Sequence, residues 1–158
     1  MDKLKQMTKN EILKNLNLAR TAHLAWVRKA QLLVHSTDAI SKNQLPLKAN
    51  DCSFGNWFFN AGQVLFCIMS EKLVKGVENT HEELHNSYLK IFKIYFDQEE
   101  NRLFILERPK EIDPLLQKKA EKELRNLENI SEELIALLDR IESNFTQLDD
   151  DDLTHICL

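Results

Sequence analysis

His81 and His85 stand four residues apart. Residues i and i+4 are neighbours on one helical face, so the pair can chelate a common ion. His23 and Cys52 each lie inside apolar segments far upstream. Imidazole and thiol groups drawn into a core need partners. Three imidazoles with one thiolate suit zinc, which takes nitrogen and sulfur ligands in a tetrahedron with Zn–N of about 2.0–2.1 Å and Zn–S of about 2.3 Å. Taken singly, each residue also has a plainer reading. A free buried cysteine behaves as a small hydrophobe, and a lone histidine beside an apolar stripe is an ordinary hydrogen-bonded core residue. Four readings therefore stand side by side. A site of four protein donors leaves no position for water and is structural or sensory. A three-histidine site of His23, His81 and His85 leaves one position open and belongs to a metal-dependent enzyme. A di-iron bundle wants bridging carboxylates with Glu-x-x-His spacing. Glu78 and Glu82 lie near the paired histidines, but Glu78-x-x-His81 crosses the expected helix start and no second copy occurs. The fourth reading is a metal-free helical adaptor.

The elements that must position these residues read as helices. Thr8 precedes Glu11 by three residues, a capping box, and Ile12, Leu16, Ala19, Ala22, Trp26, Ala30 and Leu33 follow at spacings of three or four. This first helix is expected to end near Ser41, before the polar, Pro46-containing stretch that runs to Asn50. A second helix is expected from Asp51, as N-cap, to Gly76, in a C-terminal cap position. Cys52 then sits at a helix N-terminus, where backbone N–H groups favour a thiolate. Cys67 reads as core. Thr80 and Glu83 form another capping box and open a third helix, with His81 and His85 in its first turns and Leu84, Tyr88, Phe92, Tyr95 and Phe96 on the buried stripe. Residues 98–112 read equally as helix or connector. Asp113-Pro114 starts the last helix, with proline at the favoured first position. From Leu134 its spacing is heptad-like, as if it packed against a partner helix. Asp149 to Asp152 oppose the negative helix end and should fray it.

The architecture expected from this pattern is all-α: a four-helix bundle, mostly antiparallel, with an extended C-terminal helix. Three glycines and three prolines in 158 residues exclude a turn-rich β-fold. A net charge of −4, with lysine and glutamate interspersed, gives no basic stripe for nucleic acid. No apolar run reaches the roughly 18 residues of a membrane span, and Met1 to Lys5 begin no hydrophobic leader. Three irregularly spaced cysteines form no disulfide framework. The expectation is a cytoplasmic protein without nucleic-acid or membrane partners.

Three sequence blocks carry a family resemblance. His23-Leu24-Ala25-Trp26, Cys52-Ser53-Phe54-Gly55-Asn56-Trp57 and His81-Glu82-Glu83-Leu84-His85 occur in that order. Together they resemble the chemoreceptor zinc-binding (CZB) domain, whose pattern is a histidine with tryptophan three residues on, a Cys-x-Phe-Gly-x-Trp segment and a paired His-x-x-x-His. The resemblance covers roughly residues 8 to 100 and implies Zn2+ at His23, Cys52, His81 and His85, with no catalytic residues. Phe54, Gly55 and Trp57 would then be packing residues around the site. It also implies a bacterial cytoplasmic sensor, homodimeric, acting on a chemoreceptor or diguanylate cyclase in signal transduction and chemotaxis. In that family the cysteine–zinc pair is further implicated in sensing oxidants such as hypochlorous acid. Residues 1–158 hold neither a chemoreceptor signalling hairpin nor a cyclase domain, so a stand-alone member is the expectation. The expected organisation is a CZB-like helical domain over residues 1–110, a C-terminal helix over 111–148 packing on the bundle or a dimer partner, and a disordered acidic tail over 149–158.

Overall fold

The computed structural model describes residues 8–35, 52–60, 62, 65–96 and 112–149, and all regular structure among them is helical. In chain order the elements are α1 (Lys9–His35), α2 (Ser53–Asn60), α3 (Leu65–Ile68), α4 (Glu71–Phe96) and α5 (Pro114–Thr146). No helix among the described residues is long and apolar enough to cross a membrane. The expected end of α1 near Ser41, the Asp51 cap, most of residues 98–112 and the tail beyond Asp149 lie outside the described residues.

Local chemistry starts α1 and α5. The Thr8 amide donates to Glu11 Oε2 at 2.8 Å while the Glu11 amide donates to Thr8 Oγ1 at 3.3 Å, so both halves of the capping box form. Asp113 caps α5 by accepting from the Leu115 amide at 2.7 Å, and Pro114 loses no hydrogen bond in the first position. The buried face of α1 is Ile12, Leu16, Ala19, His23, Trp26, Val27, Ala30, Leu33 and Val34, so His23 lies within the apolar stripe rather than beside it.

The middle of the chain departs from expectation. The single helix expected from Asp51 to Gly76 is divided into α2, α3 and the first turns of α4. Ser70 opens α4, its Oγ accepting from the Leu73 amide at 3.2 Å and its carbonyl from the Val74 amide at 3.2 Å. The helix then passes unbroken through Gly76 and Thr80, so Gly76 is not a stop and Thr80 does not start a helix. His81 and His85 accordingly stand in mid-helix. Capping boxes and glycine stops are local signals. Here they are overridden by the apolar series Leu73, Val74, Val77 and Leu84, which is buried on both sides of them. Thr80 is buried within that face. The same division leaves Cys67 exposed on α3, contrary to its expected place in the core.

The core is organised around α5, which packs extensively on both α4 and α1. Its buried residues Ala120, Leu124, Leu127, Ser131, Leu134, Leu138, Ile141 and Phe145 alternate spacings of four and three along nearly the whole helix. The heptad-like seam is therefore longer than the stretch expected from Leu134, and α1 and α4 of the same chain cover it. Polar contacts tie α5 to both helices. Against α1, Lys9 Nζ donates to the Thr146 and Leu148 carbonyls, Arg20 pairs with Asp139 and Glu142, and Gln117 Nε2 donates to the Val34 carbonyl. Against α4, Ser87 donates to Glu123 Oε1 at 2.7 Å and Tyr95 to Gln117 Oε1 at 2.9 Å. Residues of α1 and α4 thus make polar contacts with α5 at both of its ends. Lys9 also places a cation on the carbonyl end of α5, where the helix dipole favours one.

Gly76 offers a direct test of this reading of α4. Among the described residues, a Cβ added there would meet Leu137 Cδ1 and Cδ2, each at 3.7 Å, which is ordinary van der Waals contact, and no glycine has a positive φ. Gly76→Ala is therefore expected to stabilise the protein by about 0.5–1 kcal/mol in urea denaturation. A loss of stability is the outcome expected of a left-handed helix stop instead.

Candidate metal centre

Three helices contribute to one buried group. α1 supplies His23, α4 supplies His81 and His85 one turn apart, and Cys52 stands just before α2. Cys52 is the N-cap of that short helix: its carbonyl accepts from the Asn56 amide at 3.1 Å, and its Sγ accepts from the Gly55 amide at 3.1 Å. A cysteine in the N-cap position presents sulfur to free amides at the positive end of the helix, which favours the thiolate. All four residues are buried, with Cys52 the most open at 6%.

Their donor atoms face one another. Cys52 Sγ is 3.2 Å from His81 Nε2 and 4.0 Å from His23 Nε2, and His81 Nε2 is 3.0 Å from His85 Nε2. All four donor atoms lie within 4.8 Å of one another. A tetrahedron built with the usual zinc bond lengths has donor–donor edges of roughly 3.3–3.6 Å. Three of the six separations lie near that range, and the widest, at up to 4.8 Å, closes by about an ångström when all four atoms reach one ion. The residues fit a tetrahedral metal ion. Among the described residues this is the group of histidine, cysteine and carboxylate side chains close enough to hold one. Glu78 and Glu82 stand outside it, so the di-iron alternative lacks bridging carboxylates there.

The electrostatics favour neutral rings with available lone pairs. Burial lowers the pKa of His23 despite the hydrogen bond to the Ala19 carbonyl. Burial first, and then the charges of His23 and His85, push His81 down to about 2. Burial followed by the charge of His23 pushes His85 down to about 3. The 2.6 Å contact of His23 Nδ1 with the Ala19 carbonyl places the ring proton on Nδ1 and leaves the Nε2 lone pair facing the centre. His85 has no such support: its Nδ1 is buried without a hydrogen-bond partner among the described residues.

Aromatic rings surround the group. Phe54 stands edge-on to His23 and His81, with centroids 5.5 and 5.1 Å away, and Trp57 packs behind it at 5.8 Å. Trp26 meets His85 at 4.1 Å. The four residues singled out in the sequence are thus brought together. The supporting carbonyl of Ala19 and the amide of Gly55 were not anticipated, although an N-cap residue and a helical histidine point to the amide three residues on and the carbonyl four residues back. His35, at the end of α1, is exposed and outside the group.

No family model, curated protein or solved structure matches the chain. The fold and the group by themselves define an all-α protein with a buried three-histidine, one-cysteine cluster able to bind a metal ion.

The lowered histidine pKa values fix how stability responds to pH in the metal-free chain. Unfolded histidines take up protons near their ordinary value of about 6.5, whereas burial pushes His81 and His85 down to about 2 and about 3. Between those limits the unfolded state binds more protons, so stability is fully present above pH 6.5 and falls as pH drops below it. Each such histidine adds up to about 1.4 kcal/mol per pH unit. Urea denaturation of chelator-treated protein at pH 7.5, 6.5 and 5.5 checks this. Stability that is flat across the series contradicts burial of neutral rings.

Proposed function

We propose that this protein is a zinc-binding regulatory module whose His23, Cys52, His81 and His85 hold a single Zn2+. The observation that carries the reading is the convergence of four buried donors, from three helices far apart in sequence, within 4.8 Å. Imidazole and thiolate donors in four-fold number suit zinc better than the hard cations, which favour oxygen ligands. Four protein donors would occupy every tetrahedral position, and the group is sealed from solvent. Those features favour a sensor over an enzyme.

Bound zinc would supply a cross-link among α1, α2 and α4, in competition with protons for the same donors. The chain's own residues do the rest. Ala19 and Gly55 orient His23 and Cys52, and the rings of Phe54, Trp26 and Trp57 exclude water. Two inputs follow from this chemistry. One is the free zinc concentration, because a metal that binds only the folded arrangement stabilises it by mass action. The other is an oxidant such as hypochlorous acid, which takes two electrons from the Cys52 thiolate and leaves a sulfenic acid. The output runs through α5, which packs on both α1 and α4, to a homodimer interface or to a bacterial chemoreceptor or diguanylate cyclase in the cytoplasm. Support for that direction comes from the three sequence blocks resembling the CZB domain. The four-helix bundle of that reading has α2 and α3 together as its fourth, interrupted rod.

Metal analysis of the purified chain tests this. One zinc per chain is expected, with roughly a hundredfold or greater loss of affinity in Cys52→Ala. Stoichiometric hypochlorite should release the metal and change the oligomeric mass. Iron in place of zinc, full zinc affinity in Cys52→Ala with hydrolytic activity, or no metal at all would each refute the proposal, the last in favour of a metal-free adaptor.

A further inference from the structure

The three histidines are not held in the same way. His23 is fixed by a hydrogen bond from Nδ1 to a carbonyl of its own helix. His85 turns its Nε2 to the centre, 3.0 Å from His81 Nε2, so a metal-ligating His85 carries its proton on Nδ1. That Nδ1 is buried, and no oxygen or nitrogen acceptor reaches it among the described residues. Metal-bound histidines almost always donate this second N–H to something.

What stands against His85 is the indole of Trp26. The two rings are nearly perpendicular, at 85°, with centroids only 4.1 Å apart, the closest of the ring contacts around the centre. Tyr88, one turn beyond His85 on α4, meets the same indole at 4.8 Å and 60°. Trp26 itself is buried and stands one turn after His23 on α1. One helix therefore carries a ligand of the centre and, three residues on, a rigid aromatic wall against a ligand that belongs to another helix.

We propose that Trp26 is a positioning residue, the face of its indole taking the His85 Nδ1–H where the described residues offer no oxygen or nitrogen acceptor. An aromatic face carries partial negative charge and attracts N–H groups. The attraction rises as the donor becomes more positive, as an imidazole does when its other nitrogen coordinates a cation. The wall thus aims His85 Nε2 at the centre and favours the metal-bound over the metal-free ring. This assignment rests on the zinc reading above and adds to it a residue outside the donor set.

The test uses the full chain loaded with zinc. Trp26→Leu, which removes the aromatic face, is expected to weaken zinc binding roughly 10- to 100-fold. Trp26→Phe, which keeps a face, should restore affinity to within roughly threefold of wild type. Phe145→Leu, a core truncation in the last turn of α5, gauges lost stability alone and should leave zinc affinity unchanged. In histidine 1H–15N spectra of the zinc-loaded wild type, the His85 Nδ1 proton should resonate upfield of that of His23, shielded by the indole. It should move downfield or exchange away in Trp26→Leu. Equal affinity losses in the Leu and Phe variants, no loss in either, or a His85 proton as far downfield as that of His23 would overturn the assignment while leaving the zinc centre standing. A wild-type chain that takes up no zinc would overturn both.

Discussion

Three imidazoles and a sulfur buried together are the constraint on which the rest of the structure depends. Left unpaired, a buried polar group costs about 1–3 kcal/mol. Several such groups together would consume much of the roughly 5–15 kcal/mol that stabilises an ordinary domain. His23 is satisfied by the Ala19 carbonyl and Cys52 by the Gly55 amide, at 2.6 and 3.1 Å. The inward-facing donor atoms of His23, Cys52, His81 and His85 meet one another at the centre. A shared cation answers all four lone pairs at once, and that is why a cluster so unfavourable as bare polar groups makes physical sense as a binding site.

The cluster lies where α1, α4 and the start of α2 meet. α1 and α4 each pack far more extensively on α5 than on each other, and the ring contacts between them are those of the histidine layer, where His23 meets His81 and His85 while Trp26 meets His85 and Tyr88. A cation in that layer would therefore tie the two long helices where their rings meet. α2 adds a third attachment. It has only eight residues, too few to be stable in isolation, and is held by Phe54, Phe58 and its capping cysteine against the rest. The Arg20 and Lys9 contacts join α1 to α5.

Much of this was legible in the residues, and the failures have physical causes. Thr8 with Glu11 and Asp113 with Pro114 mark helix starts because capping is decided within one turn of chain. The stripes of α1 and α5 are readable because a single face is buried along their length. Gly76 and Thr80 misled because their local preferences oppose a long buried face, and tertiary packing outweighs about 1 kcal/mol of propensity. Cys67 was misplaced with them, since its expected burial presumed one unbroken helix through α2 and α3. Of the cluster, only His81 and His85 are tied together by spacing. That His23 and Cys52 join them depended on a motif resemblance, because neither the crossing of α1 with α4 nor the placement of α2 is encoded at short range. The supporting groups stayed hidden for a further reason: they are backbone atoms or ring faces, which residue type does not announce.

The most direct measurement is X-ray absorption at the metal edge of the loaded protein, which counts the donors around the ion and identifies them. Three nitrogen neighbours at about 2.0–2.1 Å and one sulfur at about 2.3 Å are the expected shell. A shell without sulfur, or one dominated by oxygen, would contradict a centre built from His23, Cys52, His81 and His85.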